Sequence, residues 1–288
     1  MRNEKAATIG MFDGVHRGHQ FVIRQLMEQA RQHSLLPLVI TFDSSPRQER
    51  VLTPLDEKLR LIREVGVEQI EVLSFTQELK ALSARQFMQQ ELRERLGVRL
   101  LLTGYDNRFG HNREEGFDDY VGYGRELGID VIGLPAEGSF SSSNIRQLLT
   151  AGQVAEAADC LGRRYTIRGH VGHGQHIGTG LGFPTANLVV DDAQQLIPAS
   201  GVYAVSVETP GGIYPGMMNI GTRPTFEGHA TTLEVHILHY SGNLYGQPLS
   251  VSFVSRLREE RPFDSPESLV RQLQQDAIQA ESIIKEKP

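Results

Sequence analysis

Residues 10–20 read GMFDGVHRGHQ, a stretch in which three glycines surround two histidines, His16 and His19, placed three residues apart. The preceding residues, 6–11, form an apolar run typical of a buried strand, whereas apolar side chains between 20 and 32 recur at helical spacing. The quoted stretch is therefore predicted to be the turn that joins a first strand to a first helix.

The same order of strand and helix repeats through the first half of the chain. Further strands are predicted at 36–42, 69–74 and 100–103, and further helices at 56–65, 83–96 and 120–127. Such alternation is typical of a parallel sheet with helices on its faces, so we expect a Rossmann-like α/β domain.

The second half of the chain has a different amino-acid composition. From about Tyr165 it is rich in glycine, proline and short β-prone runs, at 165–171, 201–208, 214–220, 232–239 and 249–255. We expect an antiparallel β-barrel or sandwich, closed by a C-terminal helix over 265–285 that starts with an N-cap serine followed by proline. A short helical stretch at 144–160 precedes this half, so the predicted domains are 1–160 and 161–288.

Composition excludes several classes of protein. The 288-residue chain has a net charge of −6 and one cysteine, Cys160. Because there is no basic excess, we expect small-molecule partners rather than nucleic acid or an acidic membrane surface. No opening segment reads as a signal peptide, the longest apolar run is too short for a bilayer, and one cysteine forms no internal disulfide. The expected location is the reducing cytoplasm.

The turn at residues 10–20 is a candidate phosphate site. Ligands of parallel sheets bind at the carboxyl ends of the strands, where the following helix offers free N–H groups and partial positive charge. His16 and His19 are suited to donate hydrogen bonds to phosphate oxygens there. Residue types alone leave two other interpretations open, a metal-binding pair and simple polar capping residues.

The residue order in this turn, G-x-F-D-G-x-H-x-G-H, resembles the adenylyltransferase signature of the bacterial bifunctional riboflavin kinase/FMN adenylyltransferase (FAD synthetase) family, part of the H-x-G-H nucleotidyltransferase superfamily. Two further segments resemble the same family, SSNIR at 142–146 and LTGYDNRFG at 102–110. The resemblance implies an adenylyltransferase domain with catalytic roles for His16, His19 and Arg146. It also implies nucleotide binding by Gly10, Phe12, Asp13, Gly18, Asp106, Arg108, Ser142 and Ser143.

Residues 178–187, GTGLGFPTAN, combine glycines that can wrap phosphates with hydroxyl and amide oxygens that suit magnesium. Glycine-rich barrel turns explain the glycines equally well. The string resembles the riboflavin kinase signature of the same family, and further family segments follow in order at 201–203, 218–226, 233–236 and 256–258. The resemblance implies nucleotide binding by Gly178, Gly180 and Gly182, substrate binding by Phe183, Pro184 and Arg223, and Mg²⁺ binding by Thr185 and Asn187.

Glu234 is the candidate base of the second half. It lies in the predicted strand 232–239 between Leu233 and Val235, so it projects from the opposite face if these neighbours face the core. The residues alone equally allow a solvated strand glutamate. The resemblance implies the role of catalytic base.

The resemblance as a whole implies a transferase with two activities. ATP and Mg²⁺ would phosphorylate riboflavin to FMN in the barrel, and the FMN phosphate would attack a second ATP in the first domain, giving FAD and pyrophosphate. Ser45 stands where the family usually has histidine, and Asn107 where an aromatic residue or histidine is common. These departures leave open an enzyme with only the kinase active, and a flavin-binding regulator without catalysis is the other alternative.

Overall fold

A computed structural model describes residues 4–44, 50–104, 107–111, 114–135, 138, 140–172, 180, 182–225 and 228–286, with the backbone alone at 223–225 and 228–230. The chain divides into two compact units, Met1–Ser142 and Ser143–Pro288. The first contains a parallel sheet and the second a closed barrel, so both expected fold classes are present.

The first unit is built around a five-stranded parallel sheet of order β3-β2-β1-β4-β5. Its strands are β1 Lys5–Ile9, β2 Leu36–Phe42, β3 Gln69–Leu73, β4 Val98–Gly104 and β5 Asp130–Leu134. Its helices are α1 Arg17–Gln32, α2 Leu55–Val65, α3 Gln77–Ala81, α4 Ala84–Phe87, which continues as the π-helical segment Met88–Arg95, and α5 Phe117–Leu127. Strand β5 and helix α3 are additions to the sequence prediction.

The sheet is buried on both faces. Successive side chains of β1 point to opposite faces, and both sets pack in a hydrophobic core. Ala7 and Ile9 belong to one hydrophobic core, whereas Ala6 packs in the other with Ile23 and Leu26 of α1. Strand β1 lies between β2 and β4, so the strand order reverses beside it. Ligands of such sheets bind at the carboxyl ends of the strands where the order reverses, which is where the turn after β1 lies.

The second unit is a closed barrel of order β10-β7-β6-β11-β8-β9. Its strands are β6 Thr166–Gly172, β7 Ala186–Val190, β8 Gly201–Thr209, β9 Gly212–Thr225, β10 Gly228–Ile237 and β11 Pro248–Arg258. Its helices are α6 Ser142–Thr150, which starts at the unit boundary, α7 Val154–Leu161 and the C-terminal α8 Pro266–Glu286. The described strands pair antiparallel, so the barrel alternative is the one realised.

Helix α8 covers the outer face of β8 and β9, where its buried Ala280 packs with Ala204 and Met217. The helical stretch predicted at 144–160 is two helices, because the chain turns at Gly152, whose φ of 78° lies in the left-handed region. Strand β7 is missing from the sequence prediction, since it follows a glycine-rich segment that reads as a loop. No helix in the described part of the chain has the length and apolar character needed to cross a membrane.

Candidate active sites

The turn between β1 and α1 has an uncommon backbone. Phe12, Gly14 and Val15 have φ angles of 49°, 86° and 39°. A left-handed conformation is strained for a non-glycine residue, and most of all for a β-branched one such as Val15. Such strain persists only where surrounding contacts impose it, and it clusters at functional sites. The backbone therefore singles out the same turn as the sequence motif does.

Asp13 holds this turn from inside the protein. Its buried carboxylate accepts hydrogen bonds from the backbone N–H groups of Leu52, at 2.9 Å, and Thr53, at 3.1 Å. The Ser142 hydroxyl donates to the Asp13 carbonyl at 2.8 Å. Asp13 and Ser142 thus shape the turn through contacts within the protein, and their predicted contacts with a nucleotide remain predictions.

His16 is the N-cap of α1, and only 5% of its surface is exposed. Its Nδ1 accepts a hydrogen bond from the backbone N–H of His19 at 3.3 Å, so in the neutral ring the proton lies on Nε2. The two imidazole rings stack with their centroids 3.6 Å apart. Gly18 permits this arrangement, because a Cβ at that position would lie 3.3 Å from the His16 ring.

The amino end of α1 is suited to an anion. Its first turn, described in full, carries no acidic side chain that would neutralise the positive end of the helix dipole. Phe12 is 3% exposed, and its ring lies edge-on to that of His19 with 5.1 Å between the centroids. Gly10 lies against the Phe12 ring, where a Cβ would come within 3.3 Å. Phe12 and Gly10 therefore support the histidine pair, and their nucleotide contacts remain predictions.

Asn107 spans the crevice between the carboxyl ends of β1 and β4. It follows β4, and its side-chain amide donates a hydrogen bond to the carbonyl oxygen of Ile9 at the end of β1. The residue that departs from the family pattern thus links the two strands. Arg108 is exposed and donates to the Glu114 carbonyl at 3.2 Å. Asp106, predicted to bind the nucleotide, lies outside the described residues.

Ser143 and Arg146 lie in α6, within the second compact unit, one and four residues after Ser142. Their roles in nucleotide binding and catalysis remain predictions. Ser45, the other departure from the family pattern, lies outside the part of the chain that the structure describes.

A row of polar side chains runs across three neighbouring barrel strands, with Glu234 in the middle. In the antiparallel pairing, Glu234 of β10 is directly opposite Asn187 of β7 on one side and Asn219 of β9 on the other. Directly opposite residues project from the same face of a sheet. Leu233 and Val235 are buried, as the sequence alternation predicts, so Glu234 projects from the outer face of the barrel wall.

Asn219 and Glu260 were missed by the sequence analysis. The side-chain amide of Asn219 donates to the Glu260 carboxylate at 3.4 Å, which brings a second carboxylate next to the polar row. Asn219 faces Glu234 only through the pairing of β9 with β10, and Glu260 is 41 positions further along the chain. The family segment at 218–226 marks the region without indicating which side chain faces the base.

Phe183 and Pro184, the candidate substrate-binding residues, are held beside β10. The Phe183 ring lies edge-on to the His236 ring with centroids 5.1 Å apart. His236 Nδ1 lies 2.7 Å from the Pro184 carbonyl oxygen, and because a carbonyl only accepts, the imidazole donates this hydrogen bond. His236 is two residues from Glu234 on the same face of β10, so the Phe183 ring packs on the face from which the candidate base projects.

Thr185 and Asn187, the candidate metal ligands, are half-buried and two residues apart at the start of β7. Open space borders the preceding Gly180 and Gly182, since a Cβ at either position would meet nothing within 4 Å. Gly182 has a φ of 79°, which favours glycine at that turn. Two predicted positions lie outside the description, Gly178 and the side chain of Arg223.

A cavity of about 490 Å³ opens at one end of the barrel. It is lined mainly by apolar and aromatic side chains, among them Val171, Ala186, Val235, Ile237, Tyr240 and Tyr245. Thr185 also lines it, so the cavity adjoins the candidate metal ligands. Its volume and lining are typical of small-molecule sites. The sequence did not reveal it, because Val235 and Ile237 read as ordinary core positions.

Comparisons with known proteins divide the chain into the same two regions as its two sets of motifs. Residues 1–145 match the FAD synthetase family, and residues 161–284 match the riboflavin kinase family. A bifunctional riboflavin kinase/FMN adenylyltransferase of Escherichia coli strain K12 is 38% identical over 288 residues, covering 95% of this chain and 90% of the relative. The chain belongs to the bifunctional riboflavin kinase/FMN adenylyltransferase family.

A second member of the bifunctional riboflavin kinase/FMN adenylyltransferase family, from Pseudomonas fluorescens, is also 38% identical, covering 96% of this chain and 92% of the relative. A crystal structure from Streptococcus pneumoniae, described as a macrolide-efflux protein, has a TM-score of 0.88 at 32% identity, covering 96% of this chain and 93% of that one. The efflux description concerns that protein, and what the two chains share is the fold. The resemblance drawn from the sequence motifs is confirmed.

Proposed function

We propose that this chain is a bifunctional transferase that phosphorylates riboflavin to FMN and then adenylylates FMN to FAD, with ATP as co-substrate in both steps. The observation that carries the proposal is that the two halves of one chain match the two enzyme families. We assign adenylyl transfer to residues 1–160 and the kinase to residues 161–288.

In the kinase reaction Glu234 is the general base. It accepts the proton of the terminal ribityl hydroxyl of riboflavin, the hydroxyl oxygen bonds to the γ-phosphorus of ATP, and ADP leaves. Phosphoryl transfer depends mainly on alignment and on neutralising charge, so the fixed position of Glu234 between Asn187 and Asn219 supports this role.

The donors next to Glu234 fit Mg²⁺. The Thr185 hydroxyl and the Asn187 amide are neutral oxygen donors, and Mg²⁺ prefers oxygen ligands shared with water and substrate phosphates. When bound, the ion neutralises charge on the transferring phosphoryl group. In the described part of the chain, no group of three or more His, Cys, Asp or Glu side chains could hold a metal ion.

The cavity at the end of the barrel accommodates the adenine ring of the ATP used by the kinase. Its apolar and tyrosine lining suits a flat aromatic ring, and Thr185 connects it to the Asn187–Glu234 row. A nucleotide with its adenine in the cavity therefore has its phosphates near Thr185, one of the candidate metal ligands.

In adenylyl transfer a phosphate oxygen of FMN bonds to the α-phosphorus of ATP, while the bond from that phosphorus to pyrophosphate breaks. No enzyme nucleophile is needed. His16 and the amino end of α1 stabilise the negative charge that moves onto the pyrophosphate. His19 and Arg146 act on the same phosphates, and Arg108 and Ser143 contribute to nucleotide binding.

The cytoplasm is the proposed location. ATP is the co-substrate of both reactions, and a chain with a single cysteine, Cys160, forms no internal disulfide, which suits a reducing compartment.

The deciding experiment incubates the protein with riboflavin, ATP and Mg²⁺ and separates FMN from FAD by chromatography over time. We expect FMN to appear first and FAD to follow, with pyrophosphate released in step with FAD. Accumulation of FMN alone would support the kinase-only alternative, and flavin binding without either product would support a non-enzymatic regulator.

A further inference from the structure

Lys58 is a buried charged residue that neither reaction described above uses. It lies on α2, is 5% exposed, and points under the turn between β1 and α1. Its ammonium donates to the carbonyl oxygen of Phe42, at the end of β2, at 2.7 Å, and to the carbonyl oxygen of Met11, inside the turn, at 3.2 Å. The Thr41 hydroxyl donates to the same Met11 carbonyl at 3.1 Å.

Two carboxylates face the Lys58 ammonium, Asp13 from the turn and Asp43 from the end of β2. A hydrogen bond from Ser74 lowers the pKa of Asp43, so that carboxyl is ionised at neutral pH. Burial lowers the pKa of Lys58 from its ordinary value of 10.5 to about 8, and the attraction of Asp13 and Asp43 opposes this shift. At pH 7 the protein therefore keeps a charged ammonium in a place where burial disfavours charge.

We propose that Lys58 is a positioning residue for adenylyl transfer, holding the Met11 carbonyl so that the strained turn presents His16 and the amino end of α1 to the leaving pyrophosphate. The proposal rests on the adenylyltransferase function proposed above. Lys58 acts through the backbone, because its two hydrogen bonds go to carbonyl oxygens, one in the turn that follows β1 and one at the carboxyl end of β2, the edge of the sheet where ligands of parallel sheets bind.

A positioning role and a purely structural role predict different effects on stability. Because the pKa of Lys58 is lower in the folded protein than in the unfolded chain, the folded state binds fewer protons between about pH 8 and 10.5, and stability rises with pH across that window. A neutral side chain at position 58 removes this cost together with the two hydrogen bonds to carbonyl oxygens, so the two effects on stability oppose each other. Lys58→Met is therefore expected to lower kcat for FAD formation by more than any change in melting temperature accounts for, whereas a purely structural lysine would lower activity only in step with stability.

The test compares the wild-type chain with Lys58→Met, Lys58→Arg and a control, Lys80→Met, which replaces an exposed lysine on α3. FAD formation from FMN and ATP is measured from pH 6.5 to 9.5, with FMN formation from riboflavin in the same samples. We expect Lys58→Met to lower kcat for FAD formation about tenfold, the effect of losing one charge-assisted hydrogen bond, with a smaller change in KM. The kinase and the control variant stay at wild-type rates.

The pH profile supplies the second readout. Wild-type kcat for FAD formation is expected to fall as Lys58 loses its proton above pH 8, and Lys58→Arg, which stays charged, should carry its activity to higher pH. Equal kcat in wild type and Lys58→Met would overturn the proposed role of Lys58, as would parallel pH profiles in wild type and Lys58→Arg. Either result would leave the proposed adenylyltransferase function standing. If the wild type makes no FAD at all, the proposed function fails first, and the inference fails with it.

Discussion

Asn187 and Glu234 are direct cross-strand partners in the pair formed by β7 and β10, so backbone pairing alone puts a candidate metal ligand beside the candidate base. Side chains in such a pair leave the same face with their Cβ atoms about 4.5–5.5 Å apart. The two residues can be tested separately, since FMN formation reports on the barrel while FAD formation from supplied FMN reports on the other half of the chain.

Glu234→Gln should remove the base while keeping the shape of the site. We expect FMN formation to fall about a hundredfold or more, within the range for loss of a general base, with FAD formation from FMN almost unchanged. The matched control is Glu208→Gln, an exposed glutamate on β8. An undiminished kinase rate in Glu234→Gln would remove this residue from the mechanism.

Asn187→Ala should raise the Mg²⁺ concentration that the kinase needs, because alanine supplies no oxygen ligand. The measurement is a Mg²⁺ titration of FMN formation and, separately, of FAD formation from FMN. The requirement should change for the kinase alone. The same midpoint as wild type in both titrations would contradict the assignment of Asn187 as a ligand.

The double replacement His16→Asn and His19→Asn should leave the fold and the kinase intact. Asparagine is a good N-cap, so it can accept the hydrogen bond that His16 Nδ1 accepts from the backbone N–H of residue 19. FAD formation should fall by about a hundredfold, the usual cost of removing donors directed at developing charge. His33→Asn, at the exposed end of α1, is the control.

A chelation experiment separates the two roles that the histidines could have. Removing zinc in the presence of excess Mg²⁺ should leave FAD formation by the wild type unchanged. A loss that matches the double variant would identify His16 and His19 as metal ligands instead.

Asp13→Asn should weaken the first unit, because the Leu52 N–H lies within hydrogen-bond distance of both carboxylate oxygens, at 2.9 and 3.1 Å, and an amide would place an NH₂ group, which cannot accept, at one of them. We expect the free energy of unfolding to fall by about 1–3 kcal/mol and FAD formation to fall with it. Urea denaturation and product assays measure the two effects, with the exposed Asp118→Asn on α5 as control. Unchanged stability would show that these hydrogen bonds do not hold the turn.

Much of both candidate sites could be predicted because the signals are local. The change of period from strand to helix places His16 at the start of α1, and the alternation of Leu233, Glu234 and Val235 orients the candidate base. Strand β7 escaped prediction because its five residues, Ala186–Val190, are short and follow glycines, so only pairing with β6 and β10 defines them as a strand.

The sequence by itself determined the order of the elements, the two fold classes and the motif residues, since periodicity and motif spacing depend on near neighbours along the chain. Only the tertiary structure decided that Lys58 donates to Met11, 47 positions away, and that Asp13 accepts from Leu52, 39 positions away. It likewise decided that Asn219 faces Glu234. These contacts depend on strand register and on how α2 packs, and no local pattern encodes either.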